Sequence, residues 1–235
     1  MTRLNLRTVV ALVLASISAS TAGAVSLGQS DTFEDGTVQS WSTGPLGHPS
    51  PPTNIVSGGP SGADDNYLRL TALGSGGPGS RLAVFNGVQW SGNYLAAGIT
   101  AISLQVNNFG PNEAHLRLRF LGSSGGPTND VAITNAVVVP PGGGWSLITF
   151  TINPASLVTL QGSATAALSN ASELRIFHNP AAAYPAPPTG PPAITVQLGI
   201  DNILAVPEPS ALALTSAGIV ALVVLMRKGL ARKQT

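Results

Sequence analysis

Through the middle of the chain, apolar and polar residues alternate one by one: Ile102, Leu104 and Val106 against Ser103, Gln105 and Asn107. Successive side chains of a strand point to opposite faces, so this stretch predicts a strand with one buried and one polar face. After a Gly110-Pro111-Asn112 turn the pattern returns at Leu116, Leu118 and Phe120. Further strands are expected over 131–139, at Ile148, Phe150 and Ile152, over 173–178, and at Ile194, Val196, Leu198 and Ile200 running into Asp201-Asn202-Ile203. Nearer the start, 31–36 reads as a short strand and turn. Residues 67–73 and 81–85 read as two strands joined by a Gly-rich turn, side by side in one sheet. Residues 154–171 are expected to hold short helices. Roughly nine or ten strands without a sustained helical period predict an all-β antiparallel sandwich, with a jelly roll as the first choice.

Composition sharpens this. Gly (27) and Pro (19) punctuate the chain while charged residues make up only 9%, a mix that suits short strands and many turns. Cysteine is absent, which removes disulfides, thiolate zinc sites and cysteine nucleophiles together. The formal charge of +1 hides a split: six basic residues sit at the two ends. Residues 25–205 keep Arg69, Arg81, Arg117, Arg119 and Arg175, no lysine, and nine acids. That body is acidic and excludes a nucleic-acid partner. At about 180 residues it is sized for one domain.

The ends read as targeting segments. Residues 1–24 carry Arg3 and Arg7, an apolar stretch, and the small-residue site Ala22-Gly23-Ala24, the three regions of a signal peptide. Residues 206–235 carry Val206-Pro207-Glu208-Pro209, a charge-free apolar run over 211–226, and the basic cluster Arg227, Lys228, Arg232 and Lys233. The prolines hold the backbone extended. The run is shorter than the roughly 20 residues that span a bilayer comfortably, and the basic tail belongs on the cytoplasmic side. This order resembles the PEP-CTERM sorting signal of Gram-negative bacteria. The resemblance implies export through the inner membrane, recognition and processing by an exosortase, and a place at the cell surface or in the extracellular matrix.

The body resembles galactose-binding-like and carbohydrate-binding jelly rolls at Phe33-Glu34-Asp35-Gly36 with Trp41, and at 198–203. In such modules the first and last strands lie side by side and share a structural calcium ion, which implies Asp31, Glu34, Asp35 and Asp201 as ligands. Sugar modules stack rings on exposed aromatic faces. Trp90, in a loop beside Ser91-Gly92, is the tryptophan expected to be exposed, whereas Trp41 and Trp145 are expected in the core. Arg117 and Arg119, on the face opposite Leu116 and Leu118, could line a ligand groove. For catalysis, His48, His115 and His178 lack metal-ligand spacing, and no serine sits in a nucleophile elbow. The sequence therefore predicts a non-catalytic exported surface or matrix protein. The alternatives are a module binding exopolysaccharide and, third, a glycan hydrolase.

Overall fold

The computed structural model describes residues 24–44, 48–122, 129–182 and 191–207. The expected signal peptide and the run over 211–226 lie outside them, apart from Ala24. No helix among the described residues is long and apolar enough to cross a membrane. The elements in chain order are β1 (Ser30–Asp31), β2 (Thr53–Ile55), β3 (Tyr67–Leu73), β4 (Ala83–Asn86), β5 (Ala101–Asn108), β6 (Ala114–Gly122), β7 (Asp130–Ile133), β8 (Val137–Val139), β9 (Ser146–Thr151), β10 (Val158–Gln161), α1 (Ala164–Ser169), β11 (Ala171–His178) and β12 (Thr195–Val206). They form two antiparallel sheets. The first has the order β2-β3-β12-β5-β9 with β1 also on β12, and the second β10-β7-β6-β11-β4 with β8 also on β6.

The predicted alternation decides what lies between the sheets. Leu68, Leu70, Leu104, Val106, Leu198 and Ile200 point inward from the first sheet. Leu116, Leu118, Phe120, Leu174 and Ile176 meet them from the second, all essentially without solvent contact. Each such side chain contributes about 1.5–3 kcal/mol through burial.

Three expectations need correcting. Residues 81–85 do not pair beside β3, because β2 and β12 already occupy both of its edges. Gly74, Gly77 and Gly79, all at positive φ, carry the chain across the sandwich, and β4 pairs with β11 instead. The single strand expected over 131–139 is two, β7 and β8, broken at Thr134. That residue exchanges bonds with Leu118 through both backbone and side chain, since its N–H donates to Leu118 O and its hydroxyl accepts from Leu118 N. Within 154–171 there is one short helix, α1, whose Ser163 cap accepts from Ala166 N, and β10 precedes it.

A further correction is Trp90, which is buried rather than exposed. Its indole N–H donates to Asp31 Oδ2 at 2.7 Å, and the Trp41 indole donates to the same oxygen at 2.7 Å. The two ring systems are 6.5 Å apart, and the Tyr94 hydroxyl donates to Trp90 O. Burial pushes the Asp31 carboxyl up, while the bonds from the indoles of Trp90 and Trp41 pull it down. β1 is only two residues long, so this clamp is what fixes it against the core. Asp31→Ala would leave two buried indole donors unpaired and should cost roughly 2–5 kcal/mol in urea unfolding. Asp31→Asn, which keeps an acceptor, should cost less. A parent-like midpoint for Asp31→Ala would show that the clamp carries no stability.

Candidate ligand-binding face

The outer surface of the first sheet is built from the polar half of the alternation. Arg69, Gly199 and Asn107 lie in one cross-strand row, and Asp201 and Gln105 in the next. Gly199 has no side chain because Trp145 and Phe109 occupy that space. A Cβ there would stand 2.6 Å from Trp145 Cη2 and 2.9 Å from Phe109 Cε2. Tyr67 completes the group: its ring lies 5.3 Å from Trp145, edge-on, and 5.9 Å from Phe109. The Trp145 indole N–H donates to Gly58 O at 3.0 Å, tying the ring to the 56–66 loop.

Trp145 is thus not in the core, contrary to expectation, while Trp41 is. The signal was present in the alternation: Ile148, Phe150 and Ile152 face inward, so the odd-numbered Trp145, Leu147 and Thr149 must face out. Phe109 is 47% exposed, and sequence reasoning missed it because it sits in a turn. Beside it a shallow pocket of about 510 Å³ runs between 107–110 and 141–144. Asn108 fixes its floor, donating to Asn112 O and Val139 O and accepting from Gly110 N. Arg69, Gln105 and Gln197 are partly exposed on this face, whereas Asn107 is buried. Flat aromatic surface beside open amide and guanidinium groups suits a sugar, whose ring has apolar C–H faces and a polar rim.

The four expected calcium ligands are not brought together. Asp31 gives its Oδ2 to the two indoles. Asp35 is exposed and holds its own turn, accepting from Thr37 N, the Thr37 hydroxyl and Gln39 Nε2, and these bonds lower its pKa. Glu34 and Asp201 do share a neighbourhood, with Asp65 as a third member. Asp201 is buried, and burial raises its carboxyl from an ordinary 3.8 to about 7, with Asp65 and Glu34 adding to the rise and the Asn202 backbone N–H opposing it. Glu34 Oε1 accepts from Asn66 N, and Asp65 Oδ2 from Ser61 N. Asn54 grips the same turn through Phe33 O and Thr37 O, and its own buried Oδ1 has no partner among the described residues. No group of three ionisable side chains among the described residues stands at metal-binding spacing.

On the outer surface of the second sheet, Arg117 and Arg119 have different fates. Arg117 is buried, and its guanidinium donates to Asn179 O, Thr134 O and Pro180 O, so it staples loops and lies away from a ligand. Arg119 instead bonds Glu173 Oε1 at 3.0 Å. Arg175, which the sequence did not single out, bonds the same oxygen at 2.7 Å and lies 5.2 Å from the centre of the Phe85 ring. His115 and His178, far apart in sequence, meet on β6 and β11. His178 Nδ1 accepts from His115 N, and burial, with His115 beside it, depresses its pKa to about 4.

No protein-family model and no curated protein sequence matches the chain. Solved structures do. A domain of an exo-β-agarase superposes with a TM-score of 0.53 at 13% identity, over 78% of this chain and 25% of that one. This chain thus spans about a quarter of the agarase's length. The family 11 carbohydrate-binding module from Clostridium thermocellum, in complex with a β-1,3-1,4-mixed-linked tetrasaccharide, superposes with a TM-score of 0.50 at 15% identity, over 77% of this chain and 97% of that one. The CBM22-1 xylan-binding domain from Paenibacillus barcinonensis Xyn10C gives 0.44 at 16% identity, over 78% and 99%. The fold is therefore that of the carbohydrate-binding jelly rolls. At these identities the likeness extends to the fold alone.

The Asp201 carboxyl makes a pH test. Its folded value is above its unfolded one, so the native state holds an extra proton between them and stability falls as pH rises from about 4 to about 7. Measured against Asp201→Asn at each pH, the parent should lose stability across that window. Parallel curves for the two proteins would show that Asp201 titrates normally.

Proposed function

We propose that this protein is a non-catalytic polysaccharide-binding sandwich on an exported surface or matrix protein, with the glycan lying along the outer face of the first sheet. The observation that carries the reading is the trio Trp145, Phe109 and Tyr67 packed over Gly199, with Phe109 half-exposed at the edge of the pocket. The sugar-binding fold relative supports the same reading. In this reading a ring stacks on Phe109, and Arg69 takes hydroxyls from the side. Phe109→Ala should weaken binding to a mixed-linkage β-glucan or the cognate exopolysaccharide about tenfold, since one stacking contact is worth on the order of 0.5–1.5 kcal/mol beyond its buried area. Gly199→Ala should do the same by pushing Trp145 off its seat. Glycan-array and affinity-electrophoresis profiles of Phe109→Ala identical to the parent's would refute this face as the site.

Delivery rests on the tail. β12 ends at Val206, which pairs with Ala101, so Pro207-Glu208-Pro209 begins where the sheet stops. Glu208 onward lies outside the described residues. A sorting motif placed directly after the last strand sits beside a folded body, which suits an exosortase acting on Val206 to Pro209 with Arg227, Lys228, Arg232 and Lys233 kept inside. Pro207→Ala combined with Pro209→Ala should accumulate as unprocessed protein in the inner membrane fraction. Normal release of the double variant would reduce the motif to a linker.

A further inference from the structure

We infer that the free edge of β9 is a self-association site, where a second copy of this chain adds its own β9 antiparallel to the first about a two-fold axis at Ile148. This goes beyond the proposed glycan face, and its test involves no glycan, so the two readings fail separately.

β9 is the last strand of its sheet, and among the described residues only β5 pairs with it. The register with β5 is unbroken from Ala101 opposite Thr151 to Val106 opposite Ser146. One step beyond it, Ile152 N–H donates to Thr100 O. Residues of an antiparallel strand turn their backbone groups alternately to one side and the other. The even-numbered residues of β9 therefore bond β5, and Leu147, Thr149 and Thr151 turn their N–H and C=O to the free edge. The Ser156 hydroxyl takes Thr151 O at 3.3 Å. That leaves Leu147 and Thr149, whose donors and acceptors are self-complementary. Leu147 of one copy opposite Thr149 of the other, and the reverse, closes four hydrogen bonds.

Sheet edges that face water are ordinarily blunted by charge, proline, bulges or shortness. The other outer strands obey this. β2 is three residues long and follows Pro51-Pro52, β10 carries a bulge between Thr159 and Gln161, and Ser42 closes over β4 by exchanging both backbone bonds with Phe85. β9 has six residues without proline, glycine, charge or bulge, and Leu147 is 67% exposed.

Charge names the occupant. Nine acids against five arginines make the body acidic, so two copies repel in most approaches. From Val131 to Ser172, however, the chain has no ionisable side chain. That stretch supplies β8, β9, β10 and α1, and a cleft of about 280 Å³ between 134–137 and 149–151 joins β9 to the second sheet on this flank. Across a two-fold axis a charged residue near the axis meets its own like charge. This flank brings none, so it can approach its own copy without repulsion.

Cross-linking of the full chain tests the pairing. The protein has no cysteine, so Leu147→Cys and Thr149→Cys each introduce a single thiol. In the inferred register the two copies of either residue stand diagonally, on the order of 7–8 Å apart, within reach of a short bismaleimide. Each variant should form cross-linked dimer several-fold more than Val56→Cys or Val88→Cys, whose parent side chains are 71% and 60% exposed. Thr149→Pro in the Leu147→Cys background deletes an outward N–H that β5 does not use, and should lower the dimer to the level of those controls. Should that variant not fold, Leu147→Lys in the Thr149→Cys background gives the same loss by setting like charges against each other near the axis. Equal cross-linking at all four positions, the result if a neutral glycan or a foreign strand covers this edge instead, would overturn the inference. So would a dimer that survives Thr149→Pro or Leu147→Lys in a folded variant.

Discussion

Strand β12 cannot keep one neighbour along its whole length, and most of the molecule follows from how it changes partners. Its first half pairs with β3 and its last residues with β1, while β5 runs along its other edge. The switch happens at Asp201-Asn202, where the register slips and Asn202 adopts a φ of 50°. A bulge of this kind bends a strand and re-aims a side chain. Here it lets β1 reach the sheet, which carries Asp31 under Trp41 and Trp90, and it leaves the Asp201 carboxyl buried beside Glu34 and Asp65. The cost of burying that group unpaired is met partly by the two bonds from Asn202 and partly by protonation.

The same strand sets the first outer face. Gly199 lies two residues before the bulge, and only a residue without a side chain lets Trp145 and Phe109 settle on the sheet. The aromatic cluster and the acidic cluster are therefore neighbours because both hang on one short stretch of β12. The second sheet has no such bulge at its centre. Its β6 and β11 run in register over Leu116–Phe120, which stacks Arg119 against Arg175 and forces Glu173 between them. One sheet thus presents aromatic rings on its outer face, and on the other Glu173 holds Arg119 and Arg175 together.

The sandwich and most of its strands were legible because burial on one side writes a period of two into the sequence, as at 102–107 and 116–120. The same period would have placed Trp145 outside, had its parity with Ile148 been followed. Trp90 was not legible: its loop setting looks exposed, and only the Asp31 oxygen 59 residues away gives its indole a buried partner. Arg117 and Arg119 look equivalent on one polar face, yet loop carbonyls absorb one and Glu173 the other.

By itself, the sequence determined an all-β domain without disulfides, an acidic lysine-free body, a tail whose motif order resembles a sorting signal, and the faces on which most side chains fall. These depend on neighbours one to four residues apart. Only the tertiary structure decided which strands share a sheet, which acids meet, which tryptophan is wet, and that Arg175 joins Arg119. Those outcomes depend on pairings between residues tens of positions apart, and alternation fixes the face of a side chain without naming the strand beside it.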